Sequence, residues 1–211
     1  MLKNNTRVPL DKFIEKSLFD KSKGYYMVKN PIGYKGDFIT SPNVSVMFSE
    51  MIAIWIISFW KKIGSPKKIN IVELGGGNGE MMFQIIKTIK KFEKFEQSAK
   101  FIILDKSPFL KNMQKIKMKN MNIVWTENIK KISKHPTIFL ANEFFDVFPI
   151  KQFVKKKNLW FEKYIIYKDK TFKFCEKKIM KQNVEKLLGE KIAKNQKFLE
   201  FSKSGLQMLD A

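Results

Sequence analysis

Four apolar runs carry the middle of the chain, and each gives way to glycine or to a carboxylate at its C-terminal end. They are Asn70-Ile71-Val72-Glu73-Leu74, Phe101-Ile102-Ile103-Leu104-Asp105, Asn122-Ile123-Val124-Trp125 and Thr137-Ile138-Phe139-Leu140-Ala141-Asn142. Apolar runs of this length without alternation predict strands buried on both faces. Between the first two, Met82, Ile85, Ile86, Ile89 and Phe92 recur at helical spacing and predict one long crossover helix over Met81–Lys100. Strands alternating with helices predict an α/β fold with a parallel sheet, whose ligands sit at the carboxyl ends of the strands. Glu73, Asp105 and Glu143 all fall at such ends.

The flanking segments are patterned differently. Leu10, Phe13, Ile14 and Leu18 predict an amphipathic helix, followed by a glycine- and proline-punctuated loop from Gly24 to Pro42. A second helix is expected over Val46–Ile63, closed by Gly64-Ser65-Pro66. Beyond the sheet, Trp160–Tyr167 and Thr171–Cys175 alternate around Lys168-Asp169-Lys170 and predict a β-hairpin. Ile179, Val184, Leu187, Leu188, Ile192, Phe198 and Leu199 predict a lysine-rich tail helix ending near Gly205. The chain thus reads as a helical region (1–64), a sheet-bearing part (65–150), a hairpin insertion (151–175) and a helical tail (176–211).

The first strand runs into Gly75-Gly76-Gly77-Asn78-Gly79-Glu80, a glycine loop opening a helix. Such a turn lets bare backbone approach a nucleoside-bearing cofactor. The dinucleotide fingerprint G-x-G-x-x-G, started at Gly75, would need its last glycine where Glu80 stands. The acid-x-Gly-x-Gly-x-Gly pattern from Glu73 to Gly79 instead resembles motif I of the Rossmann-like S-adenosylmethionine (SAM) methyltransferases. SAM has no phosphate, and its methionine end carries an ammonium that an acid such as Glu73 suits. Asp105, at the end of the second strand, stands where a ribose-binding acid is expected.

Further segments resemble one family. Gly24-Tyr25-Tyr26-Met27, Gly36-Asp37-Phe38-Ile39-Thr40-Ser41-Pro42, Phe48-Ser49-Glu50, Val72-Glu73-Leu74-Gly75 and Ala141-Asn142-Glu143-Phe144-Phe145-Asp146 are similar, in this order, to the signatures of the MidA-like methyltransferases. These include the mitochondrial complex I assembly-factor arginine methyltransferase and its bacterial relatives. The resemblance implies a Rossmann-like class I SAM-dependent methyltransferase, SAM as cofactor, and a protein arginine as acceptor, linked to a respiratory complex I subunit. It implies cofactor contacts from Glu73, Gly75, Gly77, Gly79 and Asp105, with Glu127, Asn142, Thr40 and Ser41 around them, and acceptor-side roles for Glu143, Asp146 and Asp37. Two carboxylates can hold a guanidinium bidentately while its nitrogen faces the methyl group. Glu127 reads in the first place as an exposed loop carboxylate. Thr40-Ser41-Pro42 reads equally as a helix cap before proline, worth about 0.5–2 kcal/mol.

The family's sheet continues into a Gly-rich strand ending in Asp-Tyr-Gly that this sequence lacks, so a sheet truncated after about four parallel strands is expected. Its last strand, Thr137–Asn142, would be an exposed apolar edge prone to association, with weak SAM affinity and no methyl transfer. A non-catalytic module binding a respiratory-complex subunit is one alternative, and a basic nucleic-acid-binding protein is the other.

Charge changes the picture little. The net charge of +21 invites a nucleic-acid reading, yet Arg7 is the only arginine among 41 basic residues, and the lysines are spread from Lys3 to Lys203. Arginine forks clustered in one patch are what base and phosphate recognition favours, so specific nucleic-acid binding is not expected. Cys175 and His135 are single, which leaves no disulfide and no cysteine–histidine metal cluster. The longest apolar run, Met51–Trp60, is too short for a membrane span, which needs about 20 residues. The polar start carries no secretory signal, and a cytoplasmic location is expected.

Overall fold

A computed structural model describes residues 5–210 and divides the chain into two units that are not contiguous in sequence. One joins the chain up to Asp20 to the chain from Val147, and the other is Lys21–Asp146. The first unit begins with strand β1 (Arg7–Pro9) and helix α1 (Leu10–Phe19), in which Leu10 is buried and Asp11 suits the positive end of the helix.

In the second unit the predicted loop Gly24–Pro42 contains two single-turn helices, α2 (Tyr25–Val28) and α3 (Ser41–Val44). Helix α4 (Val46–Lys62) follows, capped by Ser45, whose side chain accepts from Met47 N at 3.2 Å. The long helix therefore has its own cap, and Thr40 stands only at the head of the short α3. Next come β2 (Ile69–Leu74), α5 (Glu80–Ile89), α6 (Glu93–Ser98), β3 (Ala99–Leu104), α7 (Pro108–Lys117), β4 (Ile123–Thr126) and β5 (Thr137–Leu140). The four strands form a parallel sheet in the order β4-β3-β2-β5. Ile56, Ile57 and Trp60 of α4 and Met82, Ile85 and Ile89 of α5 join Ile69, Ile71 and Ile103 of the sheet in one core. Every residue of β2 is buried, as a central strand requires. At the edge, β5 buries Ile138 and exposes Phe139.

The single crossover helix expected over Met81–Lys100 is two helices. After Thr88 the backbone bonds tighten to three-residue spacing, Lys91 N to Thr88 O and Phe92 N to Ile89 O, which ends α5. The turn carries Phe95 into the core, with its ring 5.1 Å from Trp60, and leaves Phe92 exposed.

The rest of the first unit is β6 (Lys151–Lys156), β7 (Leu159–Lys168), β8 (Thr171–Ile179), α8 (Lys181–Leu188), β9 (Phe198–Phe201) and α9 (Lys203–Leu209). Its sheet is antiparallel: β8 lies along β7, β1 and β6 share the other side of β7, and β9 follows β6. Both hairpins close through two residues with positive φ, Lys157-Asn158 and Asp169-Lys170, the primed turns that match strand twist. The hairpin read at 151–175 is therefore part of a five-stranded sheet, not an insertion of two strands. The helix Leu10–Phe19 belongs with it, because Val8 pairs with Ile165. The single tail helix is likewise replaced: Gly189, at φ +79, ends α8, and Phe198–Phe201 pairs with β6. Phe153, Trp160, Val184 and Ile192 form the small core of this unit. No helix among the described residues is long and apolar enough to cross a membrane.

Candidate functional site

Because the four strands are parallel and in register, their carboxyl ends meet along one edge. Leu74 lies beside Leu104, Leu104 beside Thr126, and Glu73 beside Leu140. The turn after β2 holds Gly75, Gly77 and Gly79 at φ +69, +52 and +79, which side chains rarely adopt. It is also packed closely. A Cβ on Gly75 would lie 2.7 Å from the Phe144 ring, and one on Gly76 would lie 2.8 Å from Ile103 and 3.0 Å from Gln114 Nε2.

Two buried carboxylates flank this loop. Glu73 is 3% exposed and its Oε2 has no hydrogen-bond partner. Burial, with the neighbouring Asp105 charge adding to it, pushes its pKa up to about 8. Asp105 is 7% exposed; its Oδ1 accepts from Ser107 N at 2.9 Å and its Oδ2 from Gln114 Nε2 at 2.8 Å. Burial raises its pKa, opposed by those two donors, the Lys111 charge and the Lys106 backbone N–H. Ser107 also caps α7, accepting from Leu110 N at 3.1 Å, and donates to Tyr26 O at 2.6 Å.

The segment before α4 also reaches the loop. Asn78 Nδ2 donates to Asn43 Oδ1 at 2.7 Å, and Asn43 Nδ2 donates to Thr40 Oγ1 at 3.0 Å, so Thr40 is tied to the glycine turn through one side chain. Ser41 is exposed at the first position of α3. Asp37 forms a separate exposed cluster: Tyr25 Oη donates to its carboxylate and Lys29 Nζ lies 2.6 Å from it. Those bonds hold the Asp37 pKa low and push Tyr25 up to about 12. Glu127, also exposed, is engaged by Lys111 through Oε1, which lowers its pKa.

Beyond β5, Asn142 is half-buried and Glu143 is exposed with φ +50, a left-handed conformation costly for a side chain with a Cβ. Asp146 is exposed. Both carboxylates act on Tyr26, whose pKa is raised first by burial and then by Asp146 and Glu143. The structure thus brings Gly75, Gly77, Gly79, Asp105 and Thr40 together around the glycine turn, with Glu73 beside Asp105, and sets Glu143 and Asp146 near Tyr26, while Asp37 and Glu127 each pair with a lysine. Sequence reasoning missed Gln114, Asn43 and Asn78. Ser107 was missed as well, although a serine before Pro108 is a helix-cap signal that could have found it; nothing in Leu110–Lys117 marks a buried glutamine.

These residues fit SAM. The glycine turn leaves no room for side chains, and the orphaned, buried Glu73 oxygen is the kind of acceptor an ammonium satisfies. Asp105 keeps acceptor capacity beyond its three protein donors, as contact with a ribose hydroxyl requires.

Comparisons with known proteins agree on the class. The model of the S-adenosyl-L-methionine-dependent methyltransferase family matches residues 51–211. A Drosophila melanogaster homolog of the mitochondrial protein arginine methyltransferase NDUFAF7 is 29% identical over 74% of this chain and 40% of its own length. The Homo sapiens NDUFAF7 is 28% identical over 78% of this chain and 43% of its own. The chain therefore spans about two-fifths of the curated relatives it matches. In fold it is similar to a Burkholderia thailandensis crystal structure bound to S-adenosyl-homocysteine, with TM-score 0.75, 16% identity, and coverage of 96% of this chain and 54% of that one. A native crystal structure from the same organism gives TM-score 0.73 at 18% identity, covering 96% of this chain and 52% of that one. The cytoplasmic location expected from the polar start is overturned by the relatives, which are mitochondrial proteins. With most of its length matching the family model, this chain belongs to the S-adenosyl-L-methionine-dependent methyltransferases.

Proposed function

We propose that the chain binds SAM along the carboxyl edge of its parallel sheet and forms the cofactor-binding part of a protein arginine N-methyltransferase, with a respiratory complex I subunit as acceptor protein in a mitochondrial setting. The observation that carries this reading is the pair of buried carboxylates, Glu73 and Asp105, at the ends of adjacent parallel strands on either side of the glycine turn. Family membership and the names of the relatives support the chemistry.

In this reading Glu73 accepts from the ammonium, Asp105 takes the ribose hydroxyls, and the backbone at Gly75, Gly77 and Gly79 lies against the ligand. Glu127 offers its second oxygen to the adenine amino group, while Thr40, Ser41 and Asn142 border the site. SAM, when bound, supplies an electrophilic methyl on a sulfonium. The protein's share is positioning, the main source of rate in such a transfer. Glu143 and Asp146 hold the acceptor guanidinium by charge-assisted hydrogen bonds, with Tyr26 beside them and Asp37 at the entrance. Clamping by carboxylates keeps one nitrogen directed at the methyl carbon.

Calorimetric titration with SAM and with NADH, followed by a radiolabelled-methyl assay on arginine peptides and on complex I subunits, tests the proposal. Heat with SAM, none with NADH, and label on arginine are expected, the last against the expectation from the sequence that a sheet of four parallel strands is too short for transfer. A response to NADH alone would overturn the cofactor assignment. SAM binding without transfer would favour the binding-module reading.

A further inference from the structure

Gln114 is wholly buried in the middle of α7, and its side-chain amide makes three hydrogen bonds to three different elements. Nε2 donates to Gly77 O at 2.9 Å in the glycine turn and to Asp105 Oδ2 at 2.8 Å beyond β3, and Oε1 accepts from Trp125 Nε1 at 3.0 Å in β4. The polarity of these partners admits one orientation. An indole N–H only donates, and a backbone carbonyl and a carboxylate only accept, so the amide oxygen must face Trp125 and the amide nitrogen must face the other two. The same side chain touches where Cβ atoms on Gly76 and Gly79 would stand.

From this network we infer that Gln114 is a positioning residue for the cofactor: it fixes the height of the glycine turn at Gly77 and locks the Asp105 carboxylate so that its free lone pairs face a vicinal diol. The inference rests on the reading that SAM lies along this turn. Ser107 N already occupies one side of Oδ1, and Gln114 occupies one side of Oδ2. With the Lys106 backbone N–H as a third donor, the carboxylate is left with a defined direction in which it can still accept from a ribose hydroxyl. Loss of Gln114 frees the carboxylate to rotate and takes from the half-buried Gly77 O and Trp125 Nε1 the partner that Gln114 gives each.

Two variants separate positioning from packing. Gln114→Glu keeps the shape and the Trp125 bond but turns both donor contacts into repulsions. Gln114→Leu removes all three bonds. The charged groups acting on the site are Asp105 itself, Glu73 beside it and Lys111 on α7. In the 211-residue chain, SAM affinity measured by calorimetry should fall by about tenfold or more in both variants, the scale of one unmatched charged hydrogen bond. For Gln114→Glu the loss should be large at about pH 8 and partly recovered at about pH 5.5, where a proton held between the introduced carboxylate and Asp105 restores a donor; the wild type, measured alongside, sets the baseline. Amide exchange at 75–79, followed without ligand, should quicken in both variants while α4 is unchanged.

Affinities within about twofold of wild type would overturn the inference. So would an equal loss at both pH values accompanied by faster exchange in α4, which is the signature of a packing residue alone. A wild-type chain that binds no SAM overturns the underlying reading and the cofactor role with it, and is recognised because the exchange at 75–79 still responds to the variants.

Discussion

Asn78 and Asn43 are joined side chain to side chain at 2.7 Å, and this bond fastens the glycine turn to the segment that precedes α4. Asn78 also accepts from Glu80 N through Oδ1, so it starts α5 and holds the neighbouring loop at once. Substituting Asn43 leaves the helix start intact and removes only the tether. Asn43→Ala is expected to lower stability by about 1 kcal/mol and to weaken SAM binding, because Thr40 loses its link to the turn. Urea unfolding and calorimetry read the two effects separately, and SAM affinity equal to wild type would exclude the tether from the site.

Glu73 gives a pH dependence of unusual sign. Its ordinary value is 4.5 and burial carries the folded value to about 8. The folded state therefore holds a proton that the unfolded chain releases, so this group's contribution is fully favourable below about pH 4.5 and is lost as pH rises towards 8. Glu73→Gln should flatten the fall in urea midpoint across that window. If SAM's ammonium meets Glu73, binding near neutral pH should expel the proton, and the binding heat should change with the ionisation enthalpy of the buffer. Identical heats in all buffers would separate Glu73 from the ammonium.

Glu143 holds a left-handed backbone conformation at the edge of the proposed acceptor site. Strain of this kind persists where the surroundings enforce it and often accompanies function. Glu143→Gly should relieve it and raise stability by about 0.5–1 kcal/mol once the greater freedom of the unfolded chain is deducted. Methyl transfer should fall in the same variant. A variant that is less stable than wild type would show that the side chain, not the backbone, sets the local energy.

Saturating SAM at roughly a hundred times its dissociation constant should stabilise the second unit by about 2.7 kcal/mol, seen as a higher melting temperature. Gly77→Val should erase that rise, since the glycine sits at φ +52 and its Cβ would stand 2.8 Å from Ile32. Retention of the rise would place the ligand elsewhere.

The parallel sheet was legible because β2 and β3 are buried along most of their length, so hydrophobicity alone marks them. Glu73 and Asp105 stood out as carboxylates closing those runs. The antiparallel sheet was half hidden: β6 reads Lys-Gln-Phe-Val-Lys-Lys, with one wholly buried side chain, and β1 is three residues long. Phe198 and Leu199 satisfied a helical period that only Gly189 interrupts, although pairing with β6 decides their conformation. Gln114 was invisible, because its burial depends on Trp125, Asp105 and Gly77 arriving from three separate segments. Tyr26 came into view only once folding set it near Glu143 and Asp146.

The pairing of β1 with β7 orders events during synthesis. Val8 leaves the ribosome early, whereas its partner Ile165 is made only after the whole of Lys21–Asp146 has been translated. At about 5–20 residues per second the N-terminal arm waits on the order of ten seconds with its strand unsatisfied. The nascent chain can therefore pair β2, β3, β4 and β5 while the arm is still open to chaperones or to protease. Ribosome-bound chains halted before Leu159 and far enough beyond Lys168 for β7 to have cleared the ribosome should differ in this respect, with Arg7–Phe19 cleaved readily in the shorter and protected in the longer.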